Sequence, residues 1–275
     1  MKIYLSIDIE GVAGVFHSEQ IRPGNPEYER ARRWMTEEAN AAIEGALQAG
    51  ARDIVVADGH AHYRNLLADL LHPAARLVQG KPRMLGMLAG LDTSFDGLMM
   101  LGYHGRAQSR GILAHTMNGA AFARVWMNDT EAGEAAIYGA LAKECGVPVI
   151  LASGDDMLAE EASALFPAAR VVCVKTAETA FSGVSLSPRE AGAHLREAAG
   201  EAVRLLIDGH FPGASAPAEA IACRVQANSV VLADLFAQLP LLEREDSLTL
   251  RFTAPSASYL IRVLNCLSAM SAALR

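Results

Sequence analysis

Two carboxylates, Asp8 and Glu10, close the apolar opening segment Lys2-Ile3-Tyr4-Leu5-Ser6-Ile7-Asp8-Ile9-Glu10-Gly11. Ile3, Leu5, Ile7 and Ile9 alternate with Ser6, Asp8 and Glu10, so a strand would carry the two acids on one face with their Cα atoms about 6.6 Å apart. Both can then reach one cation, or a pair of cations about 3.5 to 4 Å apart. Two such anions in an apolar setting are costly unless something neutralises them. The next polar motifs supply imidazoles: Asp58-Gly59-His60 and Gly102-Tyr103-His104 each follow an apolar run. Glu134 opens a helical pattern within Asn128-Asp129-Thr130-Glu131-Ala132-Gly133-Glu134. Asp8, Glu10, His60, His104 and Glu134 form a mixed carboxylate and imidazole set. Such a set suits Zn²⁺ or a two-metal hydrolytic centre better than Ca²⁺ or an iron-sulfur cluster.

Alternating strand and helix signals must bring these residues together. A helical pattern from Tyr28 to Ala49, stopped by Gly50, separates the first strand from the buried run Ile54-Val55-Val56-Ala57. Further apolar runs at Leu98 to Leu101, Pro148 to Ala152 and Val171 to Val174 alternate with helical segments around Ala132 to Lys143 and Met157 to Leu165. This rhythm predicts an α/β fold, a mostly parallel twisted sheet flanked by helices. In such sheets ligands collect at the carboxyl ends of the strands, where these polar residues fall. Ala121 to Asp129, with a turn at Asn128-Asp129, reads as a hairpin arm that brings Glu134 to the same edge. Asp208 to Pro217 reads as a linker between a catalytic domain over 1–210 and a smaller C-terminal β-α-β-α unit over 218–275.

Composition excludes several classes. Of the 275 residues, 51% are hydrophobic, which is ample for a core, and the formal net charge of −7 comes without a Lys/Arg cluster to track a phosphate backbone. Nucleic acid is therefore not an expected partner. No stretch reads as a membrane span, and the acids at Asp8 and Glu10 argue against a signal peptide. Four widely spaced cysteines without a CxxC pair predict reduced, mostly buried thiols in a cytoplasmic protein.

A lone His after a strand is ordinarily a surface or core residue; recurrence at successive strand ends favours ligands. His62 is an extra imidazole that would either compete with His60 or remain in solvent. Asp155 and Asp156 read as an N-cap and first-turn charge for the following helix. Met84, Met87, Met99 and Met100 read as core or interface filler. His115, in Gly111-Ile112-Leu113-Ala114-His115-Thr116, lies near enough to His104 in sequence to line the same pocket. It can act as a general acid and base there, or simply be packed and bonded to a backbone carbonyl.

In order along the chain, Ser6-Ile7-Asp8-Ile9-Glu10-Gly11, Met35-Thr36-Glu37-Glu38-Ala39-Asn40, Asp58-Gly59-His60, Gly102-Tyr103-His104, His115-Thr116-Met117 and Asn128-Asp129 through Gly133-Glu134 resemble the zinc D-aminopeptidases of the DppA type. The resemblance implies two zinc ions per subunit held by Asp8, Glu10, His60, His104 and Glu134, and a catalytic His115. It also implies short peptide substrates with D-residues at the N-terminus, and a homodecamer of two pentameric rings. Other metal-dependent hydrolysis on the same centre, by an amidase or phosphoesterase, and a ring-forming scaffold with structural zinc are the alternatives.

Overall fold

The computed structural model describes residues 1–211 and 219–274; the expected linker therefore falls, over 212–217, outside the described residues. The chain begins with β1 (Lys2–Ile7), α1 (Pro26–Gln48), β2 (Asp53–Asp58), β3 (Ala75–Val78) and β4 (Gly97–Tyr103). α1 starts two residues before the expected Tyr28: the Asn25 side chain caps the Tyr28 N–H at 2.9 Å, and Pro26 occupies the first turn. There follow β5 (Phe122–Met127), β6 (Thr130–Glu131), α2 (Glu134–Glu144), β7 (Val149–Asp155), α3 (Asp156–Leu165), β8 (Arg170–Thr179), β9 (Ser182–Ser185) and α4 (Pro188–Ile207). The last part holds β10 (Ile221–Ala227), α5 (Val230–Phe236), β11 (Glu243–Arg244), β12 (Thr249–Ala254) and α6 (Ala257–Ser271).

Seven strands form one sheet in the order β3-β2-β1-β4-β7-β8-β9, parallel throughout except for β9. The strand order reverses between β1 and β4, which opens a crevice beyond their carboxyl ends. Both faces are covered. Ile3, Leu5, Ile7, Met99 and Leu101 pack under α1 and α4, whereas Tyr4, Val55, Leu98 and Met100 join α2, α6 and the second sheet in another core. β1 is thus buried on both sides, as expected of a central parallel strand.

The second sheet has the order β11-β12-β10-β5-β6 and is antiparallel. Asn128 and Asp129 turn the β5–β6 hairpin with φ of 49° and 65°, the paired positive values that a two-residue turn between twisted strands requires. The hairpin expected at this point is present, and it pairs with β10 from far along the chain. β3, β9 and α4 had no counterpart in the sequence reading.

Three expectations need correction. Asp8 and Glu10 lie beyond β1, in the turn that follows Ile7. The parallel ladder with β2 ends at Ile7, and the Ile9 N–H then bonds back to Asp8 Oδ1 at 2.7 Å. The acids converge through a turn, not through strand alternation. The cysteines are all free, but only Cys223 is buried; Cys173 and Cys266 are exposed. Finally, Ala257–Leu274 is long and apolar enough by count to cross a bilayer; Leu260, Ile261, Leu264 and Leu267 instead line the core shared with the second sheet.

Candidate active site

The crevice collects all five residues of the carboxylate and imidazole set, each on a short segment after a strand or at the start of a helix. Asp8 and Glu10 follow β1, His60 follows β2, His104 follows β4, and Glu134 is the first residue of α2. They are buried, with exposures of 8% or less. Glu134 sits at the positive end of its helix, and its Oε1 accepts the Met117 N–H at 2.7 Å. Asp8 Oδ1 lies 3.3 Å from His60 Nδ1, and Asp8 Oδ2 lies 3.6 Å from His104 Nε2. Glu10 Oε2 is 2.8 Å from His60 Nδ1, and Glu134 Oε1 is 3.6 Å from His104 Nε2.

His115 joins them. Its ring stacks on that of His104 with centroids 4.2 Å apart and planes 14° apart, and its Nε2 is 3.8 Å from Glu134 Oε1. Two groups of ligand atoms result, each with all members within 4.8 Å: Asp8, Glu10 and His104, and His104, His115 and Glu134. His115 therefore stands at ligating distance as well as beside the centre. Its Nδ1 is bonded to the Leu113 carbonyl at 2.9 Å, so the packed-histidine feature and the pocket position occur together.

The three imidazoles share one arrangement. His60 Nε2 meets the Ile21 carbonyl at 2.9 Å, His104 Nδ1 meets the Gly105 carbonyl at 3.0 Å, and His115 Nδ1 meets that of Leu113. A carbonyl only accepts, so each of these nitrogens carries the proton and the other nitrogen turns a lone pair toward the carboxylates. Lone pairs facing carboxylate oxygens demand a cation or a proton between them. Among the described residues no Lys or Arg side chain pairs with Asp8, Glu10 or Glu134, while Glu10 Oε2 and His104 Nε2 are buried without a hydrogen-bond partner. The 2.8 Å approach of Glu10 Oε2 to His60 Nδ1 lacks hydrogen-bond alignment. The donor set and the orphaned atoms fit a divalent metal such as zinc, with the backbone carbonyls orienting the ligands from behind.

The electrostatics agree. Burial, together with the charge of Glu10, raises the Asp8 carboxyl well above the usual range. Burial acts the same way on Glu10, but the neighbouring His60 outweighs it and holds that carboxyl low. Burial would depress His60 and His104; the facing carboxylates overcome it, taking His60 well up and His104 to about 9. His115 goes the other way. Burial, then repulsion from His104, lowers it below its ordinary value, so it is neutral near pH 7.

Backbone detail holds this geometry. Gly102, at φ +61° beside an irregularity in the β4–β7 ladder, sits so close to β1 that a Cβ there would lie 2.2 Å from the Asp8 carbonyl oxygen. Gly11 donates its N–H to the Gly102 carbonyl at 2.7 Å. Ala61 and Tyr63 flank the His60–His62 loop, and Leu113 and Met117 flank His115, all with positive φ; such strained residues gather where a surrounding structure fixes a functional loop. Asp155 caps the Leu158 N–H at 2.9 Å, as its sequence position suggests, and its second oxygen holds the Ile112 N–H at 2.8 Å, anchoring the His115 loop.

Several residues that shape the site are not apparent in the sequence. Asp58 is consumed by the loop after β2, accepting from Asn65 and Leu66. Lys175 is buried and donates from Nζ to the carbonyls of Glu10, Val12 and Val15, tying down the turn that carries Glu10; a lysine following an apolar run was the available signal. The cavity of about 550 Å³ at the centre is lined also by Tyr63, Lys81 and Arg83 and by the end of α6. His60 is in neither ligand group and meets the set through its 3.3 Å and 2.8 Å approaches to Asp8 and Glu10; His62 lines the cavity and is in neither group as well.

The sequence pattern described as D-aminopeptidase matches residues 1–266. A D-aminopeptidase of Bacillus subtilis (strain 168) is 37% identical over 197 residues, covering 72% of each chain. Among solved structures, the Zn-dependent D-aminopeptidase DppA from Bacillus subtilis, described as a self-compartmentalizing protease, has a TM-score of 0.92 and 29% sequence identity, covering 99% of this chain and 98% of that one. With the family pattern running through the segments that carry the buried carboxylates and imidazoles, the chain belongs to the D-aminopeptidase family.

Proposed function

We propose that this aminopeptidase removes N-terminal residues, preferentially D-residues, from short peptides at a two-zinc centre held by Asp8, Glu10, His60, His104 and Glu134. The observation that carries the reading is the shared tethering of the imidazoles, which turns the second ring nitrogen of each onto buried carboxylates that, among the described residues, no Lys or Arg pairs with. Two ligand groups that share His104, one with Asp8 and Glu10 and the other with Glu134 and His115, support a pair of ions, with His60 beside the first. Asp8 would help to hold the metal with both oxygens, since Oδ1 faces His60 and Oδ2 faces His104. Zinc bound there supplies polarisation of the scissile carbonyl and a water whose pKa falls to about 7.

The chain supplies the rest. His115 keeps its Nδ1 proton on the Leu113 carbonyl, so Nε2 faces the centre as a free base. From there it takes a proton from the attacking water and delivers one to the leaving amine. The family match and the relatives' names support the D-residue preference. The reading includes a closed homodecamer of two pentameric rings in the cytoplasm. The description of the solved relative as self-compartmentalizing supports an assembly, as do the exposed apolar side chains of Phe181 and Val184 at the β9 edge and Val230 and Val231 on α5.

A panel of dipeptides paired as D and L at the N-terminal residue, assayed with added zinc, tests the function. The D-series should be hydrolysed faster. Equal rates would remove the chirality preference, and phosphoester turnover without peptide hydrolysis would place the centre in another class of hydrolase.

A further inference from the structure

The cavity in front of the centre has an uneven distribution of charge. Asp8, Glu10, His60, His115 and Glu134 are part of its lining; the Lys and Arg side chains in the lining are Lys81 and Arg83, which follow β3. Their situations differ. Arg83 is fully engaged: Nε donates to the Gly80 carbonyl at 2.8 Å, and its two terminal nitrogens donate to those of Asp58 and Val78 at 2.7 Å each. Its guanidinium also lies on the Tyr63 ring at 4.2 Å. These bonds make Arg83 part of the wall.

Lys81 is exposed, and its Nζ stands 5.0 Å over the same Tyr63 ring. No carboxylate or hydrogen-bond acceptor among the described residues engages it. Partial burial, and then the charge of Arg83, hold its ammonium below the ordinary lysine value. On a chain of net charge −7 this wall is a local inversion. The rigid aromatic face positions the ammonium, and the four-carbon stem lets it follow a ligand.

On the aminopeptidase reading, the centre takes the amino end and first carbonyl of the substrate. A carboxylate one or two residues further along, at about 3.3 to 3.6 Å per residue, is still within a cavity of this size. In a longer peptide the same place is filled by a neutral amide. We propose that Lys81 binds the free C-terminal carboxylate of a di- or tripeptide substrate, so that the enzyme selects its substrate by the far end as well as by the N-terminal residue.

The test uses a reduced D-Ala-Gly analogue, with CH2–NH in place of the scissile CO–NH, prepared as the C-terminal acid and as the amide. Calorimetric binding to the zinc-loaded enzyme should favour the acid by about 10- to 100-fold, the range of a charge-assisted contact. In Lys81→Gln the ratio should fall to within about threefold of one, whereas Lys81→Arg should keep most of it. With the hydrolysable dipeptide, the Lys81→Gln loss should fall on KM and not on kcat, at unchanged zinc content. A wild-type ratio near one, or a preference that survives in Lys81→Gln, overturns the assignment. Hydrolysis of dipeptide acid and amide with equal efficiency removes the Lys81 role alone, while hydrolysis of neither overturns the aminopeptidase reading and this proposal with it.

Discussion

Glu38 offers a measurable consequence of packing an acid beneath the centre. It lies on α1 and is 1% exposed; Oε1 accepts the Ala13 N–H at 2.9 Å, and Oε2 has no hydrogen-bond partner. Burial, opposed by that N–H and by Lys175, pushes its carboxyl from the ordinary 4.5 up to about 7. At about 1.4 kcal/mol for each pH unit between those values, the ionised form costs the fold about 3 kcal/mol. The direction follows from proton counting. Between pH 4.5 and 7 the folded carboxyl retains a proton that the unfolded chain releases, so the contribution of protonation is complete below 4.5 and disappears as pH rises through 7. Glu38→Gln keeps the acceptor for Ala13 and abolishes the titration. The unfolding free energy of the variant minus that of the wild type, from urea titrations of chelated protein across this range, should shift by about 3 kcal/mol in favour of the variant toward pH 8. Taking the difference cancels the titration of distant groups. Lys175, held down to about 8 chiefly by burial, loses an anionic neighbour in the variant and acts in the same direction. A difference that stays flat within about 0.5 kcal/mol would refute the reasoning, because it would mean that Glu38 ionises in the fold as easily as in water.

Two further substitutions probe the centre itself. His115→Ala should lower kcat by about 10² to 10⁴ while elemental analysis shows unchanged zinc; loss of zinc would make His115 a ligand, and retention of activity would leave it only packed. Gly102→Ala places a methyl against the Asp8 carbonyl oxygen at a positive φ, and should cost about 2 to 5 kcal/mol in unfolding free energy together with metal affinity; a variant matching wild type in both would mean that β1 and β4 can move apart there.

The parallel sheet and the five-residue set were readable because both depend on local pattern. Apolar runs such as Ile54 to Ala57 have little choice but burial, and polar residues at the ends of such runs inherit the sheet's carboxyl edge. What the sequence could not show depends on contacts between distant segments. Alternation put Asp8 and Glu10 on a strand, because it has no means of sensing where the ladder with β2 stops. The tethering of His60 to Ile21, and of Lys175 to the turn after Glu10, joins residues whose proximity only the folded chain defines. The contribution of Tyr63, Lys81 and the end of α6 to the cavity lining was hidden for the same reason.

The hairpin that precedes Glu134 also sets a timetable for biosynthesis. Val125 of β5 faces Val225 of β10, so the ribosome must add about a hundred residues before that edge finds its neighbour, a wait of about 5 to 20 s at ordinary elongation rates. α2 begins at Glu134 and ends at Glu144, whose carboxylate receives the first N–H groups of α6, those of Ala257 and Ser258. The last carboxylate of the centre thus has its helix anchored only after residues 257 and 258 have been made, and a nascent chain that already carries Asp8, Glu10, His60 and His104 still lacks the framework that closes the centre.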